Sequence, residues 1–576
     1  MTKTRDLADL GGGFIQAGTG AVQRTVESKL QDVVSVKDFG AVGDGSTNDA
    51  AVIQSAINSL NAGGTLVFPP GNYRCNTVLT VAANNTQLVF ESGARLSYAT
   101  ATQIALTFSG SNCKLINAVI DAPAVFDGTN AAITYGNVKI TGEFFSAQDC
   151  ILNNVPRCGF WFSDVNNGAV RHCTINGGTS EGFYTGTNTV HFGIAIDPNS
   201  TGSQGNFIIA DNFINRCVQG AGSGNTGSAS LEQSMTVSGN VFELCWNHGW
   251  YSSGLANGIT VTANAFNACQ IPIALTGENH AVIGNTLTVG TTGSGLDTDN
   301  EVTGISLRDP VNCVVSNNSI KGEGISGGVV IGLDDLSGVS GGNKVHGNIV
   351  SNNTIEITNT TIAGVVAIRL LSESTTTTSN NIISGNTIKA PVRSSDGLIT
   401  IAGGSSGYSG NNSICDNIIV ATGLRGTIGY GILCNLVQDS DITNNKIRIE
   451  FDAASSSTFF SILLAQSQRV VSQSNQIRCT AAYGANTTIR GFCESTSGAN
   501  NRFVNNIYSV DTTKATVFEF NVLTTSSVYI DHVGSGTPEG SIIAAVGSLW
   551  RRTNGGTSTT FYVKESGTSN TGWIAK

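Results

Sequence analysis

The sequence predicts an all-β chain: a parallel β-helix, or solenoid, with a capping helix at its N-terminal end and a small β module at its C-terminal end. Three observations predict it: one short phrase recurs at a stable interval, strand-forming residues surround each recurrence, and the composition is poor in charge and rich in glycine. The phrase runs apolar, any, small or polar, Asn, any, apolar. It appears as IADNFI (Asn212), VSGNVF (Asn240), VTANAF (Asn264), VIGNTL (Asn285), VSNNSI (Asn318), VSNNTI (Asn353), ISGNTI (Asn386), ICDNII (Asn417) and ITNNKI (Asn445). Weaker copies centre on Asn475 and Asn506, and two early ones, AQDCIL and VRHCTI, put Cys150 and Cys173 at the anchor position. The mean interval is about 30 residues.

A unit of that length holds a few short strands that cannot bury an apolar face alone, whereas stacked units share one interior. The residues flanking each anchor are β-branched or aromatic, as a pleated surface requires. The recurrent asparagine is expected to take the left-handed backbone of a tight bend and to stack on its neighbours as an amide ladder. Variable intervals around a constant phrase mean insertions at fixed corners of the coil.

Composition removes the alternatives. Of 576 residues, 12% are charged, 40% are hydrophobic and 70 are glycine. A disordered chain needs more charge, and a coiled coil needs Ala, Glu, Lys and Leu in bulk. Nine prolines and no Gly-X-Y period exclude collagen. A net charge of −10 argues against nucleic acid and acidic membrane surfaces as partners. No apolar run is long enough to span a bilayer, and Met1 to Leu10, with Lys3, Arg5, Asp6 and Asp9, has no signal-peptide core, so assembly in a cytoplasm is expected. The 13 cysteines are scattered without a CxxC pair and read as small buried hydrophobes, with neither a disulfide framework nor a zinc site.

The ends differ from the middle. Ile53, Ala56, Ile57 and Leu60 have helical spacing, Ser46 or Thr47 can cap the start, and Gly63 and Gly64 stop it before a strand at Thr65 to Phe68. Such a helix would cover the open end of the solenoid. After Asn506 the phrase stops, and Tyr508, Tyr529, Trp550, Phe561, Tyr562 and Trp573 follow without its period, which suggests a separate closing module. The expected divisions are 1–35, 36–110 (N-terminal cap and entry to the β-helix), 111–507 (β-helix) and 508–576 (C-terminal β module).

The segment DFGAVGDGSTNDAAVIQSAI…GGTLVFPPGNY resembles the N-terminal motif of pectate-lyase-like right-handed β-helices. Together with the preceding FIQAGTGAVQRTVESKLQDVVSV (Phe14 to Val36) and the tail SLWRRTNGGTSTTFYVKESGTSNTGWIAK (Ser548 to Lys576), it resembles bacteriophage tailspikes that depolymerise capsules. The resemblance implies a homotrimer in the virion tail, attached to tail or baseplate proteins through residues 1–35, held together by 508–576, and binding a bacterial capsular polysaccharide in an exposed groove. It carries no catalytic residue over, because the middle matches in architecture only.

Candidate residues therefore come from where acids and aromatics gather. A second phrase of alternating apolars precedes most anchors, as in FGIAIDP, IPIALTGENH, GISLRDP, GVVIGLDD and VAIRLLSES. Stacked in register, these strands would line up Asp197, Glu278, Asp309, Asp334, Asp335 and Glu373 at one edge, with Arg308 and Arg369 beside them. A column of like charges costs stability, which suggests function. Glycoside hydrolysis needs one protonated and one ionised carboxyl group, so Glu278, Asp309, Asp334 and Asp335 are the catalytic candidates. Solvated strand ends are the plainer reading of the same acids. Trp246, His248, Trp250 and Tyr251 form the densest aromatic cluster and could pack on sugar rings, or could be core. With His280, Arg308, Arg369 and Glu373 they complete the substrate-binding candidates. His248, Tyr251, His280 or an arginine could instead serve as the base of a uronate lyase. Asp297, Asp299 and Glu301 have alternate spacing, but without an EF-hand pattern no metal and no cofactor is expected. A non-catalytic receptor-binding spike and a free bacterial polysaccharide-degrading enzyme are the rival readings.

Overall fold

The structure is a computed structural model. It describes the chain except residues 1–12, 31–32, 101–102, 124–135, 179–190, 198–203, 224–231, 253–255, 291–301, 324–327, 336–344, 359–363, 373–377, 405–406, 426, 451–456, 480–486, 496–497, 510–515, 523–526 and 531. The chain divides into two compact units, 1–225 and 226–576, and both are parallel β-helix.

Each coil contributes three strands, and each strand pairs in parallel with its counterparts in the neighbouring coils. In the second unit one coil runs Ile349–Ser351, Thr354–Thr358 and Val365–Leu371. The next runs Ile382–Ser384, Thr387–Arg393 and Gly397–Ala402. We call the three stacks the first, second and third sheets. Register stacks like on like: Val350 on Ile383, Ile355 on Ile388 and Ile368 on Ile399. All six are fully or almost fully buried. The first unit is built the same way, with Ala147 on Val170, Leu152 on Ile175 and Phe160 on Ile194.

The anchor asparagines form the expected ladder, with a different backbone. Asn353 Oδ1 accepts from Asn318 N at 3.0 Å and Asn318 Nδ2 at 2.9 Å, while Asn353 Nδ2 donates to Val315 O and Asn386 Oδ1, each at 2.9 Å. The pattern repeats along Asn386, Asn417, Asn445, Asn475 and Asn506. The left-handed residue is the one before the anchor: Asn317, Asn352, Asp416, Asn444, Ser474 and Asn505 all have φ between 50° and 58°. The exposed neighbour makes the bend, and the anchor turns inward to satisfy buried backbone groups. In the first unit sulfur and amide alternate, with Cys150 N donating to Cys173 Sγ and Cys173 N to Asn212 Oδ1.

A second ladder stands five residues earlier in each coil, at the other end of the first sheet. It runs His280, Cys313, Asn348, Asn381, Asn412 and Ser440, each accepting a backbone N–H from the coil before. Mixed residue types hide it from the sequence, since any short acceptor fills the position.

The helix Ala50–Ser59 buries Ala50, Ile53, Ala56 and Ile57, and Gly63 has φ 89° where the helix gives way to the strand Gly64–Phe68. Its N-cap is Asp49, not Ser46 or Thr47, and the Asp49 carboxylate accepts from Val42 N and Gly43 N instead of the helix. Gln54 bonds both polar backbone groups of Thr80 in the strand Leu79–Val81. Coil pairing starts at Val33–Ser35, which stacks on Gly64–Phe68, and continues past 507: Thr516–Val522 stacks on Thr487–Glu494, and Val528–Ile530 on Arg502–Val504. Pairing outlasts the asparagines because Ser527 Oγ takes over as acceptor for Asn501 N. The antiparallel strands Leu549–Arg552, Phe561–Lys564 and Trp573–Ala575 come only after that.

All 13 cysteines are free thiols, and all but the half-buried Cys415 are buried. Burial pushes Cys75, Cys217, Cys313 and Cys434 up to about 12. A thiolate, the reactive form, is therefore scarce in the folded chain. An aromatic disulfide reagent should titrate about one thiol per native chain quickly and all of them in denaturant. Several fast thiols in the native protein would contradict this packing.

Candidate functional site

The candidate residues of the second unit sit on the third sheet and at its strand ends. The strands are His248–Ser252, Ile271–Glu278, Val302–Val311, Gly328–Asp334 and Val365–Leu371. One side chain of each pair faces the core, as in the stack Ile273, Ile305, Ile331 and Ile368. The alternate positions face outward: Tyr251 on Ala274, Ala274 on Ser306, Ser306 on Gly332, Gly332 on Arg369. Two residues further on, Thr276 stacks on Arg308 and Arg308 on Asp334.

The acids are not a column of repelling charges. Asp334 is held bidentately by Arg369, with Nε to Oδ1 at 3.0 Å and Nη2 to Oδ2 at 2.8 Å. Both side chains are largely buried, at 10% and 17% exposure. Arg308 stands opposite Asp334 in register, so cations flank the carboxylate in the two neighbouring coils. This geometry holds Asp334 as an anion. The sequence supplied the members of this group; the pairing that neutralises the repulsion needed the register.

Asp309 and Asp335 follow Arg308 and Asp334, and both are buried. Asp309 has φ 51°, the left-handed region that non-glycine residues rarely occupy. Asp335 N donates to Leu371 O at 3.0 Å, and Ser372 Oγ lies 3.4 Å from Asp335 Oδ2. Asp309 and Asp335 each follow a member of the register pair Arg308 and Asp334, so they lie on neighbouring coils. Glu278 is exposed and pairs with Val311, two residues beyond Asp309, so it lies outside this buried group. Asp197 closes the strand Phe192–Asp197 in the first unit. Glu373 and the acidic loop Asp297, Asp299 and Glu301 lie outside the described residues.

The aromatic cluster divides. Trp250 is fully buried and stacks on Ile273, so it is core and not a sugar platform. Trp246 and Tyr251 are half-buried. His248 is buried against Tyr251, with ring centroids 4.5 Å apart, and burial plus the Arg308 charge lower it to about 3. His280 is not a surface base: it is a buried rung of the second ladder, accepting from Ile259 N, with Nε2 3.3 Å from Thr276 O. Arg308, Arg369, Asp309, Asp334, Asp335, His248 and Tyr251 are therefore what the third sheet brings to one region.

Sequence reasoning passed over one feature of the first unit. Lys139 Nζ lies 4.1 Å from the centroid of Trp161, which packs with Cys158, Phe192 and Ala195. No local pattern marks the pair, because the two residues meet only through the register of Lys139 on Trp161.

Burial lowers His191 and His280 to about 4, as it lowers His248 to about 3. Above neutral pH these rings are uncharged in both folded and unfolded chains. As the pH falls from about 6.5 toward 4, the unfolded chain gains protons that the folded one refuses, so stability is lost in that window. Each histidine contributes about 1.4 kcal/mol per pH unit there. Denaturant midpoints should fall steadily between pH 6.5 and pH 4, by less in a His248→Gln variant; a flat profile would contradict the burial of these rings.

Among the described residues no helix is long and apolar enough to cross a membrane, and no group of three or more His, Cys, Asp or Glu side chains is arranged to hold a metal.

Comparison with known proteins agrees with this architecture. Residues 33–274 match the family model of rhamnogalacturonase A/epimerase, pectate lyase-like. Rhamnogalacturonase A of Aspergillus aculeatus is 26% identical over 177 residues, covering 30% of this chain and 40% of that enzyme. The Aspergillus niger rhamnogalacturonase A is 24% identical over 185 residues, with the same coverage. The chain thus spans less than half the length of these relatives. The tail spike protein of an Escherichia phage is 40% identical over 74 residues, 12% of this chain and 9% of that protein. Among solved structures, the tailspike protein of E. coli bacteriophage HK620 in complex with a pentasaccharide superposes with a TM-score of 0.50 at 13% identity, covering 100% of this chain and 96% of that one. Residues 33–274 thus resemble pectate-lyase-like enzymes, and the chain shares the right-handed parallel β-helix fold of a phage tailspike.

Proposed function

We propose that the protein is a tailspike depolymerase that binds a bacterial capsular or surface polysaccharide and cleaves it by glycosidic hydrolysis. The observation that carries the reading is the group at the ends of the third-sheet strands: buried Asp309 and Asp335 on neighbouring coils, beside an Asp334 held by Arg369. In this reading the two carboxyl groups on neighbouring coils supply the proton donor and the anion that glycoside hydrolysis needs. Asp334 and the two arginines fix the local field, and the arginines also offer donors to sugar hydroxyls or carboxylates. Tyr251 and Trp246 give partly exposed aromatic surface for a sugar face.

Elimination at a uronate is the second reading. It loses His280 as a base, because that ring is buried in a ladder, and His248, lowered to about 3, is a weak base. The likeness to tailspikes supports a place in the virion, assembly in the host cytoplasm, a homotrimer and attachment through the N-terminal segment. The helix Ala50–Ser59 and the antiparallel strands from Leu549 would close the two ends.

The test is release of new reducing ends from a panel of purified capsules. Release without absorbance from an unsaturated uronate supports hydrolysis. Absorbance near ~232 nm that grows with cleavage would move the assignment to a lyase, because only elimination creates the conjugated double bond. Tight binding with no new ends on any capsule would leave an adhesin.

A further inference from the structure

Three residues after each anchor asparagine, the chain places a side chain on the outer face of the second sheet. Register stacks these positions directly: Lys321 on Glu356, Glu356 on Lys389, Lys389 on Val420, Val420 on Arg448, Arg448 on Arg478. Lys446 stands two residues before Arg448 on the same strand and the same face. All five cations are exposed. Glu356 pairs with Lys389 at 3.3 Å and Glu450 with Arg448 at 3.4 Å. Among the described residues, Lys321, Lys446 and Arg478 make no ion pair.

The chain has 30 basic residues against 40 acidic ones, yet this face carries five cations against the three carboxylates Glu323, Glu356 and Glu450. Arg448 directly opposite Arg478 is mildly destabilising. From Lys321 to Arg478 is five strand spacings, about 24 Å along the solenoid axis. A line of cations of that length matches a linear polyanion laid along the axis, not a single small ion.

We propose that this column is a second polysaccharide-binding site, separate from the acidic strand ends of the third sheet, and that its ligand is an anionic glycan bearing carboxylate or other acidic groups. That the polyanion is a polysaccharide rests on the depolymerase reading; the attraction for a linear polyanion rests on the column itself. The site would hold the chain near the catalyst between cleavages, and its charge selects acidic over neutral glycans.

The experiment uses the full chain with polygalacturonate oligomers and neutral dextran of equal length as probes. Wild type should bind polygalacturonate and not dextran, and the affinity should drop about tenfold between about 20 mM and about 200 mM NaCl. The variant Lys321→Gln/Lys389→Gln/Arg448→Gln/Arg478→Gln should bind at least about tenfold more weakly at low salt. A control removing four exposed cations elsewhere, Lys37→Gln/Lys114→Gln/Arg171→Gln/Arg551→Gln, should stay within about twofold. Equal losses in both quadruple variants would reduce the effect to net charge and overturn the proposal. So would no binding by wild type, the result expected if a second copy of the chain covers this face. If no capsule is cleaved but the column variant alone loses polygalacturonate, the column stands and the depolymerase reading falls.

Discussion

Asn353→Ala should unfold at much lower denaturant than wild type, with a loss on the order of 4 kcal/mol. The side chain is 1% exposed and makes four hydrogen bonds. Truncation leaves Asn318 N, Asn318 Nδ2, Val315 O and Asn386 Oδ1 short of a partner where water does not replace it. The preceding residue separates the two roles of the corner. Asn352 has φ 55° and is exposed, so Asn352→Ala should cost only about 1 kcal/mol, for backbone strain. Asn352→Gly should be close to neutral. A chemical-denaturation series on the three variants checks the order. Equal losses at 352 and 353 would mean that the bend, not the ladder, holds the coils together.

Asp309→Asn and Asp335→Asn should each lower turnover by at least about 100-fold, the contribution of a positioned acid or base. Asp334→Asn should lose activity and also stability, by about 3 kcal/mol, because it leaves Arg369 buried beside a neutral amide. Glu278→Gln, changed at an exposed position outside the group, should stay within a few-fold of wild type. Stability profiles and initial rates on one capsule separate these outcomes. If Asp309 and Asp335 tolerate the change while Glu278 does not, the active carboxylates lie further along the strand ends.

The fold was legible because one buried amide repeats at a fixed place in every coil. Asn318, Asn353, Asn386 and Asn417 have no cheap substitute that both accepts and donates across two coils, so chemistry keeps the residue and the interval shows the period. The second ladder was illegible for the opposite reason. His280, Cys313, Asn348 and Ser440 need only accept one N–H, and several residue types do that. Strand pairing beyond the last anchor was illegible because Ser527, a different short acceptor, serves Asn501 N there, and Val528–Ile530 still stacks on the coil before.

The candidate site was half legible. Apolar strand phrases brought Arg308, Asp309, Asp334, Asp335 and Arg369 together before any coordinates. Sequence alone could not say which acids face a cation, because Arg369 reaches Asp334 across a coil and two residues along it. Trp250 and Tyr251 look equivalent in the sequence, and only the strand's facing separates core from surface. The cationic column of the second sheet was visible in principle, three residues past each anchor, but only to a reading that asks for charge at a fixed phase of the repeat.

The most direct test is a crystal structure of the Asp309→Asn variant soaked with an oligosaccharide of the capsule that wild type cleaves. The account predicts a glycosidic oxygen within hydrogen-bonding reach of residues 309 and 335, with Arg308 or Arg369 contacting the same sugar. An oligosaccharide bound in full occupancy on another part of the chain, with the third-sheet strand ends empty, would contradict it.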